Sequence, residues 1–313
     1  MARRRMPLWQ SAPLWVLVTA AAVAVAALPR RLEVLLGRLI GRLMLLVAGG
    51  RRRITIENLG RCLPELSDAQ RALLLRRNFE HFGILLFEML HMFCPVPGHF
   101  RRYVQRISVL SGGALGHWKK AHAKGKGVIY AGNHVGNWEV VAAQGGLHGM
   151  DMMIVTRNLT PVWVHQAMER ARLSVAVQAA LPPKTLPTVL KALRKEMSVV
   201  FAMDQYAPPD AGGIKARFFG YRVDTLGAIA LIARKTGAAV LPGSSYRDEA
   251  GLIHVFVDAE IELSGAAGDL EKSTQLIVDR TESYIRAHPE QWTWGHRRFK
   301  HVDWNDRLPA AAE

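Results

Sequence analysis

The chain has 313 residues and a mass of 34.7 kDa, enough for one large α/β domain or two smaller ones. Half of it is hydrophobic and the mean hydropathy is +0.05, which excludes a disordered or fibrous protein. Its two widely separated cysteines, Cys62 and Cys94, exclude a disulfide scaffold or cysteine zinc ribbon and suit a reducing compartment. Lys+Arg 41 against Asp+Glu 26 leaves a formal charge of +15, which predicts an anionic partner: nucleic acid, anionic lipid or an acidic protein.

The charge is clustered. Arg3, Arg4 and Arg5 precede an apolar run from Leu8 to Leu28, uncharged from Leu14 onward. About 21 residues at about 1.5 Å each match a hydrocarbon core of roughly 30 Å. Gln10, Ser11 and Pro13 weaken its first turns, so the segment reads as a spanning helix or a shallow interfacial anchor. A cleaved signal peptide competes, but apolar sequence resumes directly after Pro29-Arg30-Arg31. From Leu32 to Val47, Leu32, Leu35, Leu36, Leu39, Ile40 and Leu43 follow helical spacing, with Arg38 and Arg42 one turn apart. That helix suits a membrane interface or an ordinary core-facing position. Arg51, Arg52 and Arg53 follow, placing the body of the chain on the cytoplasmic side. Basic residues flanking an apolar run, with no helix-turn-helix, zinc-finger or RNP pattern, argue against nucleic acid. Residues 1–50 thus read as an anchor and amphipathic helix, and residues 51–313 as the main domain.

Asp68 to Phe93 is predicted as a long helix, capped by Ser67 or Asp68 and stopped before Pro95. Strands and helices then alternate. Val128–Ala131, Ser198–Met203, Ala238–Leu241 and Leu252–Val257 read as strands. Helices are expected from Trp138 to Gly145-Gly146, Pro187 to Lys195, Thr225 to Lys235 and Leu270 to Ala287. The alternation predicts an α/β fold, a mainly parallel sheet flanked by helices. Reactive groups then belong beyond the carboxyl ends of the strands, where Gly132-Asn133-His134 and Asp204-Gln205 fall.

The sharpest local signal is Asn133-His134-Val135-Gly136-Asn137-Trp138-Glu139, an H-x-x-x-x-E. On one helix the pair would stand about 140° apart. With His134 in the turn and Glu139 in the first helical turns, the carboxylate can reach back to an imidazole nitrogen. That contact would fix the tautomer and raise the basicity of the other nitrogen, as a base for a hydroxyl requires. A histidine at such a turn can equally be a cap or a packed core residue. The spacing is not that of a zinc pair.

The motif resembles the H-x4-D/E motif of the bacterial late lipid A acyltransferase family, the lauroyl and myristoyl transferases of the lysophospholipid acyltransferase-like superfamily, which implies a glycerolipid acyltransferase-like fold. Further segments match in order: Arg52-Arg53 with Asn58-Leu59 and Cys62-Leu63-Pro64-Glu65; Met203-Asp204-Gln205 with Phe218-Phe219-Gly220; and Gln291-Trp292-Thr293-Trp294-Gly295-His296-Arg297-Arg298-Phe299-Lys300. The resemblance runs from about the first residue to Lys300. It departs where C-F-P-E reads Cys62-Leu63-Pro64-Glu65 and where His301-Val302-Asp303 replaces T-R-P.

The resemblance implies an inner-membrane enzyme with its catalytic domain on the cytoplasmic face. It would use acyl carrier protein thioesters, a glycolipid hydroxyl acceptor and no metal or other cofactor. His134 would be the base, Glu139 its orienting partner and Asp204 a supporting acid. Arg170 or Arg172 would face the oxyanion. Asn133, Gln205, His296, Arg297 and Arg298 join them as candidate substrate-binding residues, and the basic rim would meet anionic membrane lipid. The competing readings are a glycerol-phosphate, lysophospholipid or aminolipid acyltransferase, and a non-catalytic membrane-surface scaffold. No F-P-E-G-T-R-like phosphate string supports the lysophospholipid reading.

Overall fold

Four helices open the computed structural model, which describes residues 8–263 and 269–308. They are α1 (Leu8–Ala26), α2 (Arg30–Val47), α3 (Gly49–Cys62) and α4 (Asp68–Leu90). Arg3, Arg4 and Arg5 of the predicted anchor lie outside the described residues. Among the described residues, no helix is long and apolar enough to cross a membrane. α4 begins with a reciprocal capping box: Ser67 Oγ accepts from Gln70 N, and Gln70 Oε1 accepts from Ser67 N. It ends at Leu90, and a 3₁₀ turn over His91–Phe93 completes the segment expected to be helical.

α2 lies along α4, and the buried face is not the leucine face. Glu33, Val34, Gly37 and Gly41 are buried, whereas Leu32, Leu35, Leu39 and Leu43 are exposed. The crossing depends on small residues. A Cβ on Gly41 would stand 2.2 Å from the Phe79 carbonyl oxygen, and one on Gly83 would stand 2.0 Å from that of Gly37. Backbone therefore packs on backbone, which leaves the leucine stripe pointing outward.

The body is built on a seven-stranded sheet. Its strands are β1 (Ser108–Leu110), β2 (Val128–Gly132), β3 (Met152–Val155), β4 (Val177–Ala180), β5 (Ser198–Ala202), β8 (Ala239–Arg247) and β9 (Ile253–Val257), in the order β1-β9-β8-β2-β5-β3-β4. From β8 to β4 all pairs are parallel; β9 returns antiparallel on β8 and carries β1 parallel at its side. The continuous apolar reading of β2 follows from coverage on both faces. Ile129 and Ala131 enter one core cluster, and Val128 and Tyr130 the other.

The covering helices are α5 (His99–Ile107), α6 (Ala114–His122), α7 (Trp138–Leu147), α8 (Val162–Leu173), α9 (Thr185–Arg194), α10 (Ala228–Thr236) and α11 (Leu270–Ala287). The helix expected from Thr225 begins three residues later, because β6 (Gly213–Phe218) and β7 (Tyr221–Leu226) form a hairpin that pairs Thr225 with Ile214. Its two central residues, Phe219 and Gly220, have φ of 52° and 83°, the left-handed pair that such a tight hairpin turn requires. The Phe218-Phe219-Gly220 block is thus a turn whose rings pack on Trp292 and Trp294.

Candidate active site

Parallel pairing places the central pair. Gly132 at the end of β2 is in register with Ala202 at the end of β5, and two residues beyond each strand stand His134 and Asp204. Asp204 Oδ1 lies 2.8 Å from His134 Nδ1, and Oδ2 accepts from the His134 backbone N–H at 2.8 Å. Trp292 Nε1 donates to the same Oδ2 at 2.7 Å. A carboxylate only accepts, so the imidazole proton sits on Nδ1 and Nε2 carries the lone pair.

Burial raises the Asp204 pKa, but the His134 charge, two hydrogen bonds from His134 and one from Trp292 outweigh it and hold the carboxyl down at about 2. Burial also works against a charged imidazole. The Asp204 charge and hydrogen bond, with a smaller contribution from Glu139, prevail and raise the His134 pKa above its ordinary value. Trp138 meets the imidazole edge to face at 4.8 Å, and Gln205 Nε2 lies 3.3 Å from His134 Nε2.

The turn carrying His134 is fastened along its length. Asn133 donates to the Gly243 carbonyl, and its Oδ1 accepts from Val135 N and Ser244 Oγ. Gly136 has φ +67°, and a Cβ there would stand 2.5 Å from the Ser245 carbonyl oxygen; no other residue fits this passage without displacement. Its N–H donates to Gln291 O. Asn137 caps α7, accepting from Glu139 N and Val140 N.

Glu139 does not reach the imidazole. Helix α7 begins at Trp138, which packs over His134, and the next residue turns toward α8. There Glu139 receives Arg172 Nη2 at 2.6 Å and Nε at 2.9 Å, both side chains being buried. Arg172 Nη1 goes to Glu169 at 2.8 Å, so all three guanidinium nitrogens face carboxylates. The contact expected of Glu139 is made by Asp204. Arg170 is exposed on α8.

Of the terminal motif, His296 is half-buried and lines the groove described below, while Arg297 is exposed. Burial chiefly lowers the His296 pKa. Arg298 is buried; its Nη1 donates to the Gln205 and Asp224 carbonyls and its Nη2 to Thr225 Oγ1. It holds the backbone beside the site. Trp292, inside the Gln-Trp-x-Trp string, joins the site through its indole N–H on Asp204, a contact the string does not disclose.

An apolar groove of about 460 Å³ lies between α4, the end of α2 and α3, and reaches Trp138 and Gln205 beside His134. Met44, Phe79, Phe82, Leu85, Leu86 and Met89 form its walls. Trp138, Gln205, Thr293 and His296 stand at the end nearest the histidine, and Arg51 and Thr55 also border it.

A basic imidazole nitrogen held by a buried carboxylate, with a hydrocarbon-lined groove beside it, is compatible with O-acyl transfer. The comparisons agree: residues 5–301 match the model of the bacterial lipid A biosynthesis acyltransferases, and the chain belongs to that family. It is 28% identical to the lipid A biosynthesis lauroyltransferase of Escherichia coli K12 over 279 residues, 88% of each chain. It is 28% identical to the palmitoleoyltransferase of the same organism over 87% of this chain and 86% of that one. The phosphatidylinositol mannoside acyltransferase of Mycobacterium tuberculosis CDC 1551 / Oshkosh is 26% identical over 75% of this chain and 73% of its own length.

Proposed function

We propose that the chain transfers a fatty acyl group from an acyl carrier protein thioester to a hydroxyl of a lipid A precursor or a related glycolipid. The observation that carries this reading is the His134–Asp204 pair, with Trp138 and Gln205 linking it to the apolar groove. His134 Nε2 takes the proton of the acceptor hydroxyl as its oxygen attacks the thioester carbonyl carbon. Asp204 stabilises the imidazolium, and the Gln205 amide offers an N–H to the oxyanion. The carbon–sulfur bond then breaks, and the departing thiolate takes the proton back from His134. The groove holds the chain, with about 0.8 kcal/mol from each buried methylene.

The exposed leucine face of α2, together with the exposed Leu14, Trp15, Val16 and Leu17 of α1, supports docking on the cytoplasmic face of the inner membrane. The arginines beside it would meet anionic headgroups. The test is transfer of a labelled acyl chain from acyl carrier protein by purified protein, with a Kdo-bearing lipid A precursor and lysophosphatidic acid as parallel acceptors. Product on the saccharolipid is expected. Product on the lysophospholipid alone would reassign the acceptor.

A further inference from the structure

Glu88 of α4 belongs to no motif read from the sequence, yet its side chain is fully buried against the catalytic turn. Its oxygens accept from Arg247 Nε at 2.8 Å and Nη2 at 2.5 Å, and from Arg30 Nη2 at 2.5 Å. The remaining donor is Asn137 Nδ2, at 2.9 Å. Because the carboxylate can only accept, Asn137 must turn its NH₂ toward Glu88. That leaves its Oδ1 facing the N–H groups of Glu139 and Val140, which it caps at 3.2 and 3.3 Å. A reversed amide would set oxygen against carboxylate and NH₂ against two N–H donors.

We propose that Glu88 is a positioning residue for acyl transfer: by orienting Asn137 it sets the start of α7, and through Trp138 the seat of His134. The proposal rests on the acyl-transfer reading of His134. Arg30 extends the link, because it also donates to Glu33 Oε1 at 2.7 Å and to the Gly251 carbonyl. The first turn of α2 and the catalytic turn therefore hold opposite sides of one carboxylate. The charged and titratable groups around it are Arg30 and Arg247, with Glu33 and Tyr103 on Arg30 and His81 on Arg247.

The test compares Asn137→Asp, Glu88→Gln and the double variant, using lauroyl-acyl carrier protein and a Kdo-bearing lipid A precursor. Asn137→Asp sets carboxylate against carboxylate and is expected to lower kcat by about 100-fold, with KM for the donor within about twofold. In the double variant the amide introduced at position 88 can donate to the carboxylate introduced at position 137. That carboxylate still caps α7, but the amide nitrogen then displaces Arg247 Nη2, which shares the same Glu88 oxygen, so only part of the lost kcat returns. Glu88→Gln alone removes the counter-charge of two arginines and is expected to unfold readily. If it does not fold, Asn137→Asp carries the test through its pH profile. A proton shared between the two carboxylates restores the hydrogen bond, so kcat relative to wild type rises as pH falls. A return of kcat in the double variant supports the role of Glu88, and an active wild type whose Asn137→Asp deficit is independent of pH overturns it. A wild type that neither transfers nor hydrolyses the thioester overturns the acyl-transfer reading itself.

Discussion

Asp204 holds His134 at two points, Nδ1 and the backbone N–H, each at 2.8 Å. One carboxylate thus fixes the ring's tautomer and the place of its backbone together. Asp204→Asn removes the acceptor and the charge that raise the imidazole pKa. By comparison with carboxylate-to-amide changes in other histidine-base enzymes, kcat should fall by about 10³–10⁴-fold. The sign of the pH effect follows. The proposed base works when neutral, so wild-type kcat/KM should fall as pH drops through the raised His134 pKa. In Asp204→Asn that pKa is lower, and the residual activity persists to lower pH. A pH series of kcat/KM checks this; an unmoved acid limb would mean that Asp204 does not set the histidine.

Glu139 and Arg172 form a buried bidentate pair, so loss of one partner strands the other. Glu139→Gln or Arg172→Met should cost about 3–5 kcal/mol of folding stability, read by chemical denaturation. The Glu139→Gln/Arg172→Met double variant should cost less than the sum. Glu139 also contributes a through-space charge to His134, so its acid limb should move less than that of Asp204→Asn. Unchanged stability with a larger shift of the acid limb would return Glu139 to the orienting role that its place in the motif suggests.

The local parts of this site are legible in the sequence and the long-range ones are not. Apolar runs such as Val128–Ala131 announce strands, and the strand-to-helix turn marks His134 without knowledge of any contact. Sequence proximity favours Glu139 as the partner of His134, whereas the register of β2 with β5 brings in Asp204 from seventy residues away. Likewise the spacing of Leu35, Leu39 and Leu43 discloses a helix but not which face is buried. Gly37, Gly41 and Gly83 settle that by allowing direct backbone contact. Glu88 leaves no signal, since its meaning lies in four donors converging from Arg30, Arg247 and Asn137.

On the proposed reading, in which the groove holds the acyl chain, chain length becomes a property of its walls. Met89 lines it, and Met89→Trp adds bulk that should shorten the preferred donor. With about 0.8 kcal/mol for each methylene denied a place, a donor two carbons longer than the new optimum should lose about tenfold in kcat/KM. Competition among acyl carrier protein thioesters of graded length measures it. An unchanged chain-length profile would place the acyl chain elsewhere.

The leucine face of α2 predicts where the protein meets lipid. Leu35, Leu39 and Leu43 are 52–60% exposed, so Leu35→Glu, Leu39→Glu and Leu43→Glu should each leave folding stability within about 0.5 kcal/mol of wild type. Each should nevertheless weaken sedimentation with anionic phospholipid vesicles, because a carboxylate then enters the headgroup boundary in place of a buried leucine. High salt should release the wild type only partly, since it screens the arginines but not the apolar contact. A triple glutamate variant that still sediments like the wild type in high salt would show that this face does not bind the bilayer.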